Sequence, residues 1–317
     1  MVKYTLKRLL HGIITVFIIA TVVFLLMRML PTDYFFTEEQ LMKFTDQQKE
    51  AALNAAGLLD PITEQLGRFY LNTVKGDFGI SRRLQAGQPV VKVIGQKFAI
   101  STKLGVVALS ISLVLGVIMG IIQTVKKDRI PDHIGTAYTV FVNSVPHLVS
   151  YSLILAFGSR VLNFPAIYSS RSHTILSCVL PVTCLCLTSI AGYGLWTRRY
   201  MVDELNKDYI KLAKVKGLSS RQIMVKHILK NAFVPLAQYL PLSFLETIGG
   251  SLLVERFFSV PGMGPLLTDA INRYDLNVVQ TLVIFYAVIG VLGVFLGDIL
   301  MMIIDPRIKL ADREGVR

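Results

Sequence analysis

Charged residues are scarce in this sequence. They make up 17% of its 317 residues, whereas a soluble domain carries about a quarter. Apolar residues make up 53%, and the mean hydropathy is +0.55. This composition disfavours a soluble enzyme and excludes intrinsic disorder, which requires low hydrophobicity and high charge.

Cysteine and tryptophan are also rare, with three residues and one residue. Cys178, Cys184 and Cys186 all lie in one apolar stretch, without a partner histidine or a second cysteine pair. They are expected to behave as small apolar groups, and the spacing predicts no metal site.

Long apolar runs dominate the chain. Because a helix of about 20 residues crosses the hydrocarbon core, we predict six transmembrane helices. They are Leu9–Leu30, Ser101–Val125, Ile134–Leu162, Ile175–Leu195, Leu236–Val254 and Gln280–Ile304. A cleaved signal peptide is the alternative for the first run, but it would be shorter and end in a small-x-small site. Pro146 predicts a kink in the third helix, which neighbouring helices can accommodate.

The net charge of +12 follows the loops. Between Trp196 and Val234, nine Lys or Arg face three acidic residues, and Lys126–Arg129 is also basic. The positive-inside bias places these loops and both termini in the cytoplasm. Pro31–Lys97 balances eight basic with eight acidic residues and is expected outside, with helical segments at Glu38–Ala56 and Pro61–Val74. Topology therefore explains the basic excess, and no nucleic-acid partner is predicted.

The predicted fold class is an all-α membrane protein of six transmembrane helices, with a helical extracytoplasmic insertion between helices 1 and 2. Residues 1–98 form the first helix and the insertion. Residues 99–305 form a five-helix core that contains the cytoplasmic loop 196–235, and residues 306–317 form a cytoplasmic tail.

Within that loop, residues 208–235 predict a helix, a break and a second helix. Asn206 or Asp208 is expected to cap the first helix, and Gly217 to end it in a left-handed conformation. Ser219 or Ser220 would cap the second helix. Two interpretations stay open: a lysine-rich helix pair at the lipid surface, or a docking element that inserts into a groove on a cytoplasmic partner.

The pattern Asp208-Tyr-Ile-x2-Ala213-x-Val-Lys-Gly217-Leu resembles the EAA loop of ABC-importer permeases. His227, Asn231, Ala232 and Pro235 follow with the spacing of the dipeptide/oligopeptide/nickel branch. Further similar motifs occur in the same order along the chain. They are Gly76-Asp77-Phe78-Gly79-x-Ser81 with Pro89-Val90, Phe258-Ser-Val-Pro261-Gly262-Met-Gly264, Asp275-x2-Val278-Val279-Gln280 and Asp305-Pro306-Arg307. Together they identify the chain as similar to the B-type permease subunit of that family, which has the type I ABC importer fold.

This resemblance implies an ATP-driven importer in a bacterial or archaeal plasma membrane. The implied partners are a homologous second permease, two ABC ATPases, an extracytoplasmic solute-binding protein and the lipid bilayer. The chain has no phosphate-binding loop, so it is expected to be no enzyme and to bind no cofactor, with ATP and magnesium held by the ATPases. Peptides are the expected substrate. Nickel chelates or other small solutes remain alternatives, as does a secondary transporter or an intramembrane enzyme.

Three sets of residues are candidates for the work of such a subunit. The ATPase-coupling set is Ala213, Lys214, Gly217, Leu218, Ser219 and Arg221. The binding-protein docking set is Gly76, Asp77, Phe78, Gly79, Pro261, Gly262 and Gly264, for which ordinary turn geometry is the alternative. The pathway or gate set is Asn143, Ser144, Pro146, Glu246 and Asp298, of which the two acids have pairing within the bundle as the alternative.

Overall fold

The computed structural model describes residues 2–170 and 174–304, and within these ranges the chain is helical. One isolated antiparallel bridge joins Ile80 and Pro89. The predicted tail 306–317 lies outside the described residues. The helices are α1 (Val2–Arg28), α2 (Glu38–Lys43), α3 (Asp46–Ala55), α4 (Ile62–Val74), α5 (Val90–Val125), α6 (Ile130–Ser144), α7 (His147–Arg160), α8 (Thr174–Leu205), α9 (Asp208–Val215), α10 (Ser220–Gln222), α11 (Lys230–Ile248), α12 (Leu252–Phe257), α13 (Met263–Asn272) and α14 (Leu276–Ile304). A 3-10 turn at Thr32–Phe35 precedes α2, and a π-helical segment, Ile223–Leu229, joins α10 to α11.

Four helices in the described part of the chain are long and apolar enough to cross a membrane: α1 from Thr5, α5, α8 and α14. The pair α6 and α7 would be a fifth span if it were counted as one. α11, which covers most of the predicted span Leu236–Val254, contains two prolines and ends at Ile248, before that predicted span does. The described helices therefore give four candidate spans, or five with the bent pair, against the six predicted from the sequence.

The predicted single kinked helix Ile134–Leu162 is wrong. The structure has two helices that meet at 111°. Val145, which precedes Pro146, is extended with φ −85° and ψ 129°, and Pro146 occupies the N-cap position of α7. A residue before proline is driven out of the helical region, so the chain breaks here instead of bending.

α5 and α8 pack closely because glycines face the neighbouring backbone. A Cβ atom on Gly120 of α5 would lie 2.6 Å from the Cβ of Thr197 on α8. α14 packs on α11 in the same manner, since a Cβ on Gly297 would collide with the carbonyl of Gln238. Small residues permit this close helix approach in membranes.

α2, α3 and α4 form the insertion between α1 and α5. Thr37 and Thr45 cap α2 and α3 with complete capping boxes, as their sequence pattern favours. Phe69 and Tyr70 of α4 stack on Phe24 and Phe17 of α1, with ring centroids 5.2 and 4.7 Å apart. We call the end of the bundle that carries this insertion the insertion end, and the end that carries residues 206–229 the loop end.

Candidate functional site

At the loop end, α9 and α10 form a helix-turn-helix with the predicted break. Gly217 has φ +76°, its N–H donates to the Lys214 carbonyl (3.0 Å), and the Leu218 N–H donates to the Ala213 carbonyl (3.3 Å). This bonding pattern is a Schellman motif, which ends α9 at a left-handed glycine. Ser219 caps α10 through a capping box with Gln222. The predicted cap of α9 is wrong, because Lys207 occupies the cap position and makes no side-chain cap hydrogen bond.

The inner side of this turn packs on the bundle. Ile210 and Ala213 of α9 join Met201 of α8, and Ile223 and Ile228 of the π-helical segment, in one buried cluster. Ala213 is 6% exposed. In the predicted coupling set, Ala213 is therefore a packing residue whose small side chain brings α9 close to the bundle.

The outer side carries the other predicted coupling residues. Lys214, Gly217, Ser219 and Arg221 are exposed and Leu218 is half-buried. Sequence reasoning left Leu212 and Val215 out of the set, although they are 55% and 85% exposed on the same helix. The sequence does contain a signal for them, because α9 has apolar residues on two faces and only one face can pack on the bundle. We call these seven residues the loop surface: Leu212, Lys214, Val215, Gly217, Leu218, Ser219 and Arg221.

A hydrogen-bonded tether fixes the loop surface to two long helices. The Tyr209 hydroxyl donates to Glu204 at the end of α8, and the Asn231 amide of α11 donates to the Tyr209 oxygen (2.9 Å). Burial, followed by the hydrogen bond to Glu204, raises the pKa of Tyr209 to about 12. The phenol thus stays protonated at neutral pH, and its two hydrogen bonds link α9 to α8 and α11.

An ion pair extends this connection to α6. Arg198 of α8 holds Asp132 of α6 through Nε–Oδ1 and Nη2–Oδ2 contacts of 2.7 and 2.8 Å. The Asp128 N–H donates to the same carboxylate (3.0 Å), which is 3% exposed. Bidentate pairing of this kind holds both helices in a defined orientation.

At the insertion end, two of the predicted motifs meet. Asp275, just before α14, is 1% exposed, and its Oδ2 accepts four hydrogen bonds from the segment after the Gly76–Gly79 motif. The donors are Ser81 Oγ (2.5 Å) and the backbone N–H groups of Arg82 (3.1 Å), Arg83 (3.1 Å) and Leu84 (2.9 Å). Gly76, Asp77 and Gly79 remain exposed and Phe78 is half-buried.

The Pro261–Gly264 segment lies against a buried carboxylate. Glu255 accepts from Ser101 Oγ (2.7 Å) and from the Gly264 N–H (2.8 Å), and it is 3% exposed. A Cβ on Gly262 would lie 2.5 Å from Ser101 Oγ. Gly262 and Gly264 are buried and only Pro261 is exposed, so the turn alternative accounts for the two glycines in this predicted docking motif.

The predicted pathway residues separate into two kinds. Asp298 is 3% exposed and pairs with Arg8 of α1 (2.9 Å), while Gln238 of α11 donates to its other oxygen (3.3 Å). Asp298 thus follows the alternative of pairing within the bundle. Glu246 on α11 is exposed. Asn143, Ser144 and Pro146 are exposed at the α6–α7 break.

Comparison with known proteins adds the family context. Residues 112–310 match the model of the binding-protein-dependent transport system inner membrane component family. The chain is 34% identical to a dipeptide transport system permease of Lactococcus lactis, across 98% of this chain and 100% of the relative. It is 32% identical to an oligopeptide permease of Haemophilus influenzae (98% and 100% covered), and 31% identical to a glutathione permease of Escherichia coli (98% and 99% covered).

A solved structure shares the fold. The inward-facing MetNI methionine ABC transporter matches with a TM-score of 0.53 at 13% identity, covering 68% of this chain and 97% of that one. At this identity the likeness concerns the backbone arrangement alone.

Proposed function

The chain belongs to the family of binding-protein-dependent transport system inner membrane components, and from this premise we propose that it is the permease subunit of an ATP-driven importer of peptides. It is a multi-pass membrane protein. The observation that carries the proposal is the match over 98% of the chain to full-length permeases named for dipeptides, oligopeptides and glutathione, itself a small peptide.

In this proposal the loop surface receives a cytoplasmic ATPase. The exposed Leu212 and Val215 supply apolar contacts, and Lys214 and Arg221 surround them with positive charge. Such a mixed surface suits insertion into a groove on a partner. ATP and magnesium would be bound by the ATPases, since this chain has no phosphate-binding loop.

Transport follows from a two-state equilibrium that ATP binding shifts. Closure of the ATPases moves α9, and the tether through Tyr209 carries the movement to α8 and α11. The Arg198–Asp132 pair carries it on to α6. Only contacts that differ between the two states can shift the equilibrium, so the loop surface must bind its ATPase differently in each state.

The remaining partners follow from the proposed orientation. The insertion end faces outward, in a bacterial or archaeal plasma membrane, and its exposed residues Gly76, Asp77, Gly79 and Pro261 are candidates for contact with a solute-binding protein. A homologous second permease would complete the pathway, with one ATPase below each permease.

Peptide import can be tested on the assembled complex in proteoliposomes. With the binding protein outside and ATP inside, radiolabelled tri-alanine is expected to accumulate, and omission of ATP is expected to abolish the accumulation. Uptake of a nickel chelate with no uptake of tri-alanine would contradict the peptide assignment. Uptake that continues without ATP would contradict the importer class and favour a secondary transporter.

Orientation can be tested separately in intact cells with a membrane-impermeant maleimide. Gln47→Cys, exposed on α3, is expected to react, and Ser219→Cys, exposed on the loop surface, is expected to react only after the cells are opened. The three native cysteines lie in α8, where two of them are buried, so their background is low. Labelling of Ser219→Cys in intact cells would reverse the proposed orientation.

A further inference from the structure

Glu246 differs from the other acids of the helical bundle. Asp298 is paired with Arg8, and Glu255 uses both carboxylate oxygens to accept hydrogen bonds from Ser101 and Gly264. Among residues 2–170 and 174–304, Glu246 takes part in no ion pair, and it is exposed. An acid in a transmembrane helix is costly unless it faces protein or water, so the position of Glu246 near the end of α11 needs a different explanation.

Glu246 lines an open cavity of about 280 Å³ between α5, α8 and α11. The helices meet there because Gly105 of α5 has no side chain. A Cβ on Gly105 would lie 2.7 Å from the Thr247 carbonyl of α11. α11 ends immediately beyond, and Gly250, with φ +89°, turns the chain towards Glu255. Two carboxylates and the hydroxyl-bearing Ser189 and Ser251 therefore border one small space.

The lining of this cavity selects for positive charge. Its ionisable side chains are the two glutamates, and no Lys, Arg or His lines it. Glu255 is 3% exposed and both its oxygens accept hydrogen bonds, so the exposed Glu246 is the carboxylate that a cation can reach. A carboxylate in a partly apolar cleft attracts an ammonium group more strongly than it would in bulk water.

From the cavity, a line of hydroxyl and aromatic side chains continues towards the loop end. On α8 it consists of Ser189, Tyr193, Trp196 and Tyr200, and on α11 of Tyr239, Ser243 and Glu246. Their spacing of three and four residues puts each set on one helix face. The two sets lie on neighbouring helices, since α8 packs against α11. Trp196 and Tyr239 are 41% and 52% exposed.

We propose that this cavity binds the protonated amino terminus of a peptide in transit, with Glu246 as the counter-ion. The aromatic and hydroxyl face of α8 and α11 is then the surface along which the peptide passes. The inference rests on the proposed function of peptide import. The amino terminus is a group that unmodified peptides of every sequence share, and the hydroxyl groups can form hydrogen bonds with any backbone amide.

The cavity size fits transit better than storage. Sites that enclose a whole small ligand have volumes of about 300–1,000 Å³, whereas this cavity measures about 280 Å³ and is open, so a longer peptide would extend out of it. Release therefore needs only the loss of one ion pair and its hydrogen bonds.

The charge preference of the cavity can be measured without transport. In the assembled complex carrying Cys178→Ser and Ser189→Cys, the cationic 2-aminoethyl methanethiosulfonate is expected to react about tenfold faster than its anionic sulfonatoethyl analogue, after correction for intrinsic reactivity. Glu246→Gln should bring the ratio close to one. Gln47→Cys, on the insertion, is the control for the reagents. Equal rates with Glu246 intact would overturn the proposal.

Competition in the same labelling assay tests the amino group. Tri-alanine at millimolar concentration is expected to slow the cationic reagent at Ser189→Cys, and N-acetyl-tri-alanine is expected to leave the rate unchanged. An equal effect of the two peptides, or no effect of either, contradicts the assignment to the amino terminus.

Uptake distinguishes this inference from the proposed function. Glu246→Gln is expected to lower the maximal rate of tri-alanine uptake about tenfold, and Glu246→Asp to retain most of it. The control is Glu50→Gln, the same carboxylate-to-amide change at an exposed position on α3. A wild-type complex that imports no peptide overturns the proposed function. A Glu246→Gln complex that imports as wild type does overturns only the inference.

Discussion

Asp275→Ala is expected to lower the free energy of unfolding by about 3–5 kcal/mol, because it leaves four hydrogen-bond donors without their acceptor. All four bind the same oxygen, Oδ2. Ser81 and Asp275 are 0% and 1% exposed, so water cannot easily replace the lost carboxylate. Each buried polar group left unsatisfied costs about 1–3 kcal/mol, and partial relaxation keeps the total below the sum of four.

The consequence is local to one junction. Asp275 immediately precedes α14, and its donors are residues of the segment that connects the insertion to α5. Asn277 adds one further link, donating to the Ile80 carbonyl (2.9 Å). We therefore expect the insertion to loosen from α14 in the variant while the helices α5, α8 and α11 keep their packing.

Two measurements on the purified complex test this prediction. The melting temperature is expected to fall, and hydrogen exchange is expected to accelerate at Arg82, Arg83 and Leu84. Asp77→Ala is the matched control, because that carboxylate is exposed and accepts the Gly79 N–H (3.0 Å). If Asp275→Ala melts and exchanges like Asp77→Ala, the four hydrogen bonds contribute little and the junction is held by other contacts.

The sequence identifies both partners of this junction but not their contact. The Gly76–Ser81 motif and Asp275 appear in the sequence as separate features, and Ser81 and Asp275 are 194 residues apart. A local pattern carries no record of which distant segment it meets. The same limit applies to Glu246 and Asp298, two acids in apolar helices whose difference depends on whether Arg8, at the far end of the chain, reaches them.

Local rules succeed where the cause is local. The left-handed turn at Gly217 follows from glycine in a helix-ending context, and the structure places φ there at +76°. The burial of Ala213 could not be read in this way, because α9 has apolar residues on two faces and only the bundle decides which face packs. Pro146 predicts that the helix is disrupted, but the angle of 111° between α6 and α7 depends on their contacts with other helices.

Gly217→Val is expected to preserve assembly and to lower both peptide uptake and substrate-stimulated ATP hydrolysis by about tenfold or more. A left-handed conformation costs an ordinary residue about 1–2 kcal/mol, and a β-branched residue more; each 1.4 kcal/mol is a factor of ten in an equilibrium. The Schellman turn should therefore open and change the angle between α9 and α10, which moves Lys214 relative to Arg221 on the loop surface.

Steric clash is not the cause of this effect, and the control uses that fact. A Cβ atom at Gly217 would meet no heavy atom within 4 Å in the described structure. Gly217→Asn adds a side chain of similar size, but asparagine adopts the left-handed region more readily. We expect Gly217→Asn to retain most of the coupled activity, so a large difference between the two variants would report on backbone conformation and not on side-chain volume.

The stimulated rate decides whether the turn couples the two activities. In proteoliposomes, substrate-loaded binding protein should raise ATP hydrolysis several-fold for wild type and for Gly217→Asn, and hardly at all for Gly217→Val. Co-purification of the ATPases with all three proteins establishes that the complex still assembles. Normal stimulation of Gly217→Val would contradict the role proposed for the turn. Movement would then reach α8 and α11 through the Tyr209 hydrogen bonds even with the turn distorted.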